Sequence, residues 1–427
     1  MEKIVIDGGV ALNGSVEISG MKNAALAVLF ATIVVGDVCT IENLPQISDV
    51  KLSLQMLESI GAGIRFLGKN TVEIDTRHIN DVCAPLDLVR RIRASYYLVG
   101  AMLARFGHAT VGLPGGDDFG TRPIDQHIKA FEALGALVKA ENGCLIAETD
   151  SGIKCANIFF DCVTVGATVN TIIASVLAEG MTVIDNAARE PHIVDLANFL
   201  NYCGADIKGA GTDVIKIRGV KSLHGCNYAI IPDMIEAGTF MIAAAATGGQ
   251  LYINNVIPKH LEAITAKVCE MGGEVDEYDE AVMVRRTEPV CHANVKTLPY
   301  PGFPTDMNPQ IAVLMCLGNG ESRITETIWD GRFRYVEELR RMGAEITVEG
   351  KQAIIAGGTE FRSANVRAVD LRAGAAMIIA GLVCNGRTEI EDIHYIERGY
   401  DDIVSKLRTI GARIRKISIP DDIIETR

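Results

Sequence analysis

The sequence predicts an α/β protein of two domains, assembled from six copies of one helix-and-strand repeat. Three observations carry that expectation. A phrase typified by "MLESIGAGI" recurs six times at intervals near seventy residues. A second, Ala- and Gly-rich phrase typified by "KNAALAVLFATIVVGDVCTI" alternates with it. The chain, at 427 residues with 48% hydrophobic content, is also too long for one core of ordinary size.

The first phrase reads "MLESIGAGI", "AFEALGALV", "FLNYCGADI", "VCEMGGEV", "LRRMGAEI" and "LRTIGARI". Its leading glycines are 61, 135, 204, 272, 343 and 411, so the spacings are 74, 69, 68, 71 and 68. Each copy is an apolar-periodic helix closed by a glycine and followed by a strand. The second phrase reads on through "RASYYLVGAMLARFGHATV", "GATVNTIIASVLAEGMTVI", "IEAGTFMIAAAATGGQLYI", "DMNPQIAVLMCLGNGESRI" and "RAGAAMIIAGLVCNGRTEI". Its helix is apolar nearly all round and therefore buried, and it is expected to end at Gly36, 107, 180, 249, 320 or 386 with a strand after it. Six such units divide into two sets of three. The expected domains are residues 22–230, and residues 1–21 joined to 231–427, with the first twenty-one residues completing the last unit. Two crossovers then form a hinge, with a cleft between the halves.

Composition limits the function. The balance of 41 basic and 54 acidic residues gives a net charge of −13, which argues against nucleic acid or an anionic membrane as the main partner. The eleven cysteines form no CxxC pair and the eight histidines lack ligand spacing, so reduced thiols and no metal site are expected. The opening "MEKIVIDGG" reads as a strand rather than a signal segment. The longest apolar run, Ala24 to Val35, is too short to span a bilayer. A soluble, cytoplasmic protein without membrane insertion is the expectation.

Counting fourteen residues back from each closing glycine gives Lys22, Arg93, Gly166, Ile235, Asp306 and Arg372, six positions at the starts of buried helices. A cation there opposes the helix dipole. Three of them, at Lys22, Arg93 and Arg372, point to an anion held jointly by cations and helix N-termini. Alternatively each is an ordinary ion-pair partner. Asp306 follows the stiff lead-in "YPGFPT". Arg398 in "ERGYDDI" precedes the final predicted helix, and "TETIWDGRF" places Arg332 and the only tryptophan after a predicted strand. The loop "GLPGGDDFGTRPIDQHI", residues 112–128, sets Asp117 beside Asp118 just ahead of Arg122, Asp125 and His127.

The stretches "ISGMKNAAL", "LPGGDDFGTRPIDQHI", "VGATVN", "AAREPHIVD", "IPDMIEAGTF", "YPGFPTDM", "TETIWDGRF", "DLRAGAAM" and "HYIERGYDDI" occur in this order across almost the whole chain. Together they resemble the UDP-N-acetylglucosamine enolpyruvyl transferase family, which opens peptidoglycan synthesis. The resemblance implies a two-domain inside-out α/β barrel with three βαβαββ units per domain, and no metal or organic cofactor. It implies transfer of the enolpyruvyl group of phosphoenolpyruvate to the sugar 3-hydroxyl of UDP-N-acetylglucosamine, with release of phosphate through a tetrahedral intermediate. By that resemblance Lys22, Arg122 and Arg398 are cations for phosphoenolpyruvate. Asn23 and Asp306 hold the sugar hydroxyl, with Asp306 the base. Arg93, Arg122, Pro123, Ile124, Asp125, Gln126, His127, Thr164, Val165, Gly166 and Ile328 bind the nucleotide, and Arg332 and Arg372 close around the reacting groups. Residues 112–123 correspond to a mobile loop whose general acid is usually cysteine, the target of fosfomycin. Here Asp117 takes that position, implying insensitivity to the epoxide, while Asp118 reads equally as a modulator of its pKa or as a solvated loop residue.

Three departures from the family pattern are visible: Met234 where arginine is common, Cys162 where lysine is common, and Ala27 for a usual proline. They leave open a relative acting on another uridine nucleotide, or a sugar-nucleotide binder without turnover. Oligomeric state is not readable from the sequence.

Overall fold

The computed structural model of the protein describes residues 2–80, 83, 86–112 and 124–418. The described residues divide into a central lobe lying between Gly20 and Ile231 in the chain and a terminal lobe formed by those up to Ser19 and from Pro232 onward. In the central lobe the helices Lys22–Val35, Tyr97–Phe106 and Val165–Ser175 pack on one another. In the terminal lobe Met234–Thr247, Asn308–Cys316 and Leu371–Val383 do the same. Helices therefore fill the middle and sheets lie outside them, the inverse of an ordinary barrel. Small residues make that packing possible. A Cβ on Gly100 would fall 2.6 Å from the backbone oxygen of Asn170, so the second and third central helices touch nearly backbone to backbone.

Among the described residues, five sheets have four strands and share one plan: a parallel pair, then two antiparallel additions. In the first, Asn227–Ala229 lies parallel to Val38–Glu42, followed by Thr71–Asp75 and Gly63–Gly68. The sixth has three strands, with a parallel bridge from Cys83 to Thr110 where the others have their leading strand. The six glycines of the first phrase sit just past the outer helices at φ between +90° and +104°, a conformation that side chains with a Cβ resist. That shared strain is why the phrase repeats.

The amino-terminal segment divides in a way the sequence did not disclose. Residues 1–21 do not all complete the last unit. Strand Glu2–Asp7 lies between Arg387–Glu391 and Ile414–Ser418 in the last sheet, whereas Asn13–Glu17 pairs parallel with Gln250–Asn254 in the fourth. Burial explains the difference. Ile4, Val5 and Ile6 are successive buried residues, as a central strand requires, while Val16 is the sole buried residue of the edge strand. Helix ends also differ from expectation. The third buried helix stops at Ser175, well before Gly180, the fourth closes at Gly248 rather than Gly249, and the fifth stops at Cys316. Among the described residues no helix is long and apolar enough to cross a membrane.

Candidate functional site

All six positions picked by counting back do lie at helix starts. Lys22 is the first residue of its helix, and Gly166, Ile235 and Arg372 are second in theirs. Arg93 and Asp306 sit in short 3-10 turns, Arg93–Tyr96 and Thr305–Met307, that lead into the helices. The two lobes fill these starts differently. In the terminal lobe, Asp233 accepts hydrogen bonds from the Ile235 and Glu236 amides, and Asp370 accepts from those of Arg372 and Ala373. These carboxylates satisfy the first-turn donors, so the helix ends themselves are already occupied. In the central lobe, Met21 and Thr164 provide no side-chain cap. The start of Asn308–Cys316 in the terminal lobe likewise has no side-chain cap, so an anion at any of these ends would meet first-turn amides that no side chain caps.

In the central lobe, buried Lys22 pairs with Asp49 at 2.7 Å. Asp49 is the second residue of helix Ser48–Ser59, where a carboxylate is favoured by the dipole. The ion-pair reading of Lys22 therefore holds. Half-buried Asn23 follows on the same helix.

His127 is built into a fixed network. Asn170 uses its carbonyl to accept from the Gly100 amide at 3.0 Å, which leaves its amino group facing the Tyr96 carbonyl and His127 Nδ1. His127 Nδ1 is thus the acceptor and its proton resides on Nε2. A Cβ on Gly166 would lie 3.0 Å from that Nε2, so the glycine gives the ring its space. Burial, helped by the charge of Arg93 and opposed by Asp125, depresses the His127 pKa to about 4. The ring is a neutral donor at physiological pH. Burial also lowers the pKa of Arg93, while Tyr96 and Tyr97 beside it act to raise it.

Gln126 is engaged internally. Its amide nitrogen donates to Asp125 and Asp161, and its oxygen accepts from the Asp161 amide. Ile124 precedes helix Asp125–Ala133 and offers it no side-chain cap. Thr164 and Val165 begin the third buried helix, beside the exposed Asp161 and Cys162. Asp117, Asp118, Arg122 and Pro123 lie outside the described residues.

In the terminal lobe, Asp306 is one-third exposed and is gripped by two buried arginines. Arg372 Nη2 approaches Oδ2 at 3.0 Å and Arg332 Nη2 approaches Oδ1 at 3.5 Å. Burial acts to deprotonate Arg372, but Asp306, followed by Tyr400 and Asp233, outweighs it and holds the pKa above the ordinary arginine value. The Arg372 guanidinium carbon also lies 5.4 Å from the Tyr400 ring centroid. Arg372 Nη1 is buried with no partner among the described residues. Arg332 is further tied by Nε to the Thr305 carbonyl at 3.1 Å. Arg398 ends the 3-10 turn Ile393–Arg398 and is half-buried.

Sequence reasoning missed Glu326. Its buried carboxylate accepts from the Thr297 and Thr305 hydroxyls, the Asn308 amide nitrogen, and the backbone amides of Ile328 and Trp329. One side chain thereby ties the segment carrying Asp306 to the turn carrying Ile328. Among the described residues no group of three or more His, Cys, Asp or Glu side chains is placed to hold a metal.

Comparison with known proteins follows this geometry. The family model of EPSP synthase (3-phosphoshikimate 1-carboxyvinyltransferase) matches residues 6–407. A UDP-N-acetylglucosamine 1-carboxyvinyltransferase of Clostridium botulinum is 54% identical over 98% of this chain and 100% of its own length. UDP-N-acetylglucosamine 1-carboxyvinyltransferase 3 of Caldanaerobacter subterraneus subsp. tengcongensis is 52% identical, with the same coverage. Among solved structures, the enolpyruvyl transferase NikO from Streptomyces tendae superposes with a TM-score of 0.88 at 26% identity, covering 98% of this chain and 99% of that one. EPSP synthase from Acinetobacter baumannii reaches 0.76 at 17% identity, covering 98% and 100%, and so shares the fold. Six inverted α/β units, matched from end to end by these relatives, place the chain in the EPSP synthase family of enolpyruvyl transferases, among the UDP-N-acetylglucosamine 1-carboxyvinyltransferases.

Proposed function

We propose that the protein transfers the enolpyruvyl group of phosphoenolpyruvate to the 3-hydroxyl of UDP-N-acetylglucosamine and releases phosphate, the first committed step of peptidoglycan synthesis. The observation that carries this reading is identity above 50%, over the full length, to relatives bearing that name. The geometry supports it: an accessible carboxylate oriented by two buried guanidiniums suits a reaction that must deprotonate a hydroxyl while managing anionic groups.

In this reading a proton is delivered to C3 of phosphoenolpyruvate by Asp117, and the cation that develops at C2 is captured by the sugar oxygen. Asp306 accepts the hydroxyl proton, with Asn23 orienting that hydroxyl. Lys22, Arg122 and Arg398 neutralise the phosphate and carboxylate of phosphoenolpyruvate, with Arg332 and Arg372 completing the surround. Loss of a C3 proton and of phosphate from the tetrahedral intermediate restores the double bond. No metal or organic cofactor takes part. Arg93, Arg122, Pro123, Ile124, Asp125, Gln126, Thr164, Val165, Gly166 and Ile328 serve the nucleotide, and neutral His127 offers its Nε2 proton. The protein works in the cytoplasm and resists fosfomycin because Asp117 replaces the reactive thiol.

A second reading, action on a different uridine nucleotide, is favoured by Cys162. It stands exposed next to Asp161 at a place where a lysine would offer positive charge to a diphosphate. Phosphate release measured with UDP-N-acetylglucosamine, other uridine nucleotides and shikimate 3-phosphate separates the readings. Turnover confined to the first acceptor supports the proposal. Turnover confined to another nucleotide replaces it, and tight binding with no phosphate from any acceptor leaves a binder.

A further inference from the structure

Three cysteine thiols meet in the central lobe, away from every residue assigned above. Cys203 Sγ and Cys226 Sγ are 3.4 Å apart, and the Cys39 thiol is in hydrogen-bonding contact with both. They come from separate elements. Cys39 lies on strand Val38–Glu42, Cys203 follows helix Pro191–Tyr202, and Cys226 precedes strand Asn227–Ala229. The backbone pins each neighbour: the Thr40 amide donates to the Cys226 carbonyl, and the His224 amide donates to the Cys203 carbonyl, both at 2.9 Å. Cys39 and Cys203 are buried, whereas Cys226 is partly open to solvent.

The geometry points to a redox-modification site in which Cys226 is the thiol oxidised first and Cys203 is the resolving thiol that closes a reversible disulfide with it. The sulfurs need to approach by little more than 1 Å to reach the bonded distance of about 2.05 Å. The backbone bond between His224 and Cys203 already holds the two segments together. The oxidant class is a peroxide. The Cys226 thiolate attacks one peroxide oxygen, the O–O bond breaks, and the hydroxide that leaves takes up the proton lost by the thiol, so a sulfenic acid and one water result. Cys203 sulfur then attacks Cys226 sulfur and displaces the second water, so two thiols and one hydrogen peroxide give one disulfide and two waters. Hydrogen bonds from the Cys203 and Cys39 thiols, and the nearby His224, lower the Cys226 pKa, which favours the attacking thiolate. The neighbouring Cys226 and Cys39 thiols, with burial, push the Cys203 pKa up, so Cys226 is the thiol that ionises first.

The test uses the full-length reduced protein, brief exposure to substoichiometric hydrogen peroxide, alkylation of remaining thiols and non-reducing peptide mapping. A Cys203–Cys226 link removed by dithiothreitol is expected, forming at least about tenfold faster than oxidation of the exposed Cys155 and Cys269. The linked form should also melt several degrees higher, since the bridge closes a loop between positions 23 apart. In Cys203→Ala the link should vanish, and a 1,3-dicarbonyl probe should label Cys226 as sulfenic acid. Oxidation of Cys226 no faster than that of Cys155, or a link to Cys39 in the wild type, overturns the assignment. So does a Cys226 that stays unmodified, or that passes directly to sulfinic acid.

Discussion

Replacing Glu326 by Gln changes one oxygen to nitrogen in a side chain that accepts five hydrogen bonds, and its cost can be worked out from those partners. If the new amino group takes the Oε1 position, it faces the Ile328 and Trp329 amides, which are fixed donors. If it takes the Oε2 position, it faces the Thr305 hydroxyl, which can rotate to accept, and the Asn308 amino group. Asn308 cannot turn over freely, because its carbonyl accepts from Tyr335 Oη at 2.6 Å. The second orientation is cheaper, yet it forfeits one bond to an ionised acceptor, about 1.5–3 kcal/mol, and weakens the remaining ones. A loss of about 2–4 kcal/mol follows. For a lobe of this size, that lowers its unfolding midpoint by roughly 5–15 °C. Glu326→Ala, which removes the acceptor of five donors, two of them in fully buried bonds, should cost more than about 4 kcal/mol. Calorimetry with and without the substitution reads the shift, and turnover should fall as well, since Thr305 adjoins Asp306. A Gln variant melting within about 1 °C of the wild type would refute the reasoning.

Further outcomes follow from the same geometry and from the proposed chemistry. His127, neutral and buried with a folded-state pKa of about 4 against an ordinary 6.5, contributes stability that is present above pH 6.5 and is lost as pH falls towards 4. The unfolding free energy from urea titrations should therefore drop across that window in the wild type by up to about 3 kcal/mol, and His127→Gln should flatten the dependence. Arg398→Ala should raise the KM for phosphoenolpyruvate by at least about tenfold while barely changing sugar-nucleotide affinity; equal effects on both contradict its proposed role. Asp117→Asn should lower turnover by roughly 10²-fold or more, against a mild effect of Asp118→Asn. Asp117→Cys should keep some turnover and gain time-dependent inactivation by fosfomycin, because a thiolate captures an epoxide far better than a carboxylate does. A near wild-type Asp117→Asn enzyme beside a dead Asp118→Asn variant transfers the acid role to Asp118.

The repeated architecture was legible because each copy needs the same physical device, a left-handed residue after the outer helix, and glycine fills it six times. The buried helices were legible from apolar composition around the full circumference. What escaped was set by pairing between distant segments. Nothing local in "NGSVE" says that it joins residues 250–254 rather than the last sheet, because a strand's partner is chosen by burial and register elsewhere. The same limit explains the missed side chains. Glu326 in "TETIW" reads as one more solvated acid until five donors from several segments are seen to converge on it. Lys22 and Arg372 break the helix-dipole rule in sequence, and their compensating carboxylates, Asp49 and Asp306, lie 27 and 66 positions away. The Gln126 motif likewise does not disclose that the side-chain amide joins Asp125 and Asp161. Nothing local in "VGATVN" shows that Asn170 fixes the His127 tautomer.

The most direct test of the central claim is the mass of the product. Purified protein incubated with phosphoenolpyruvate and UDP-N-acetylglucosamine should convert the nucleotide to a species heavier by one enolpyruvyl group, with a vinylic proton signal and one phosphate released per product. Asp306→Asn should abolish both readouts while leaving the fold intact by calorimetry. An unmodified nucleotide alongside released phosphate, or the same product formed at an undiminished rate by Asp306→Asn, would contradict the account.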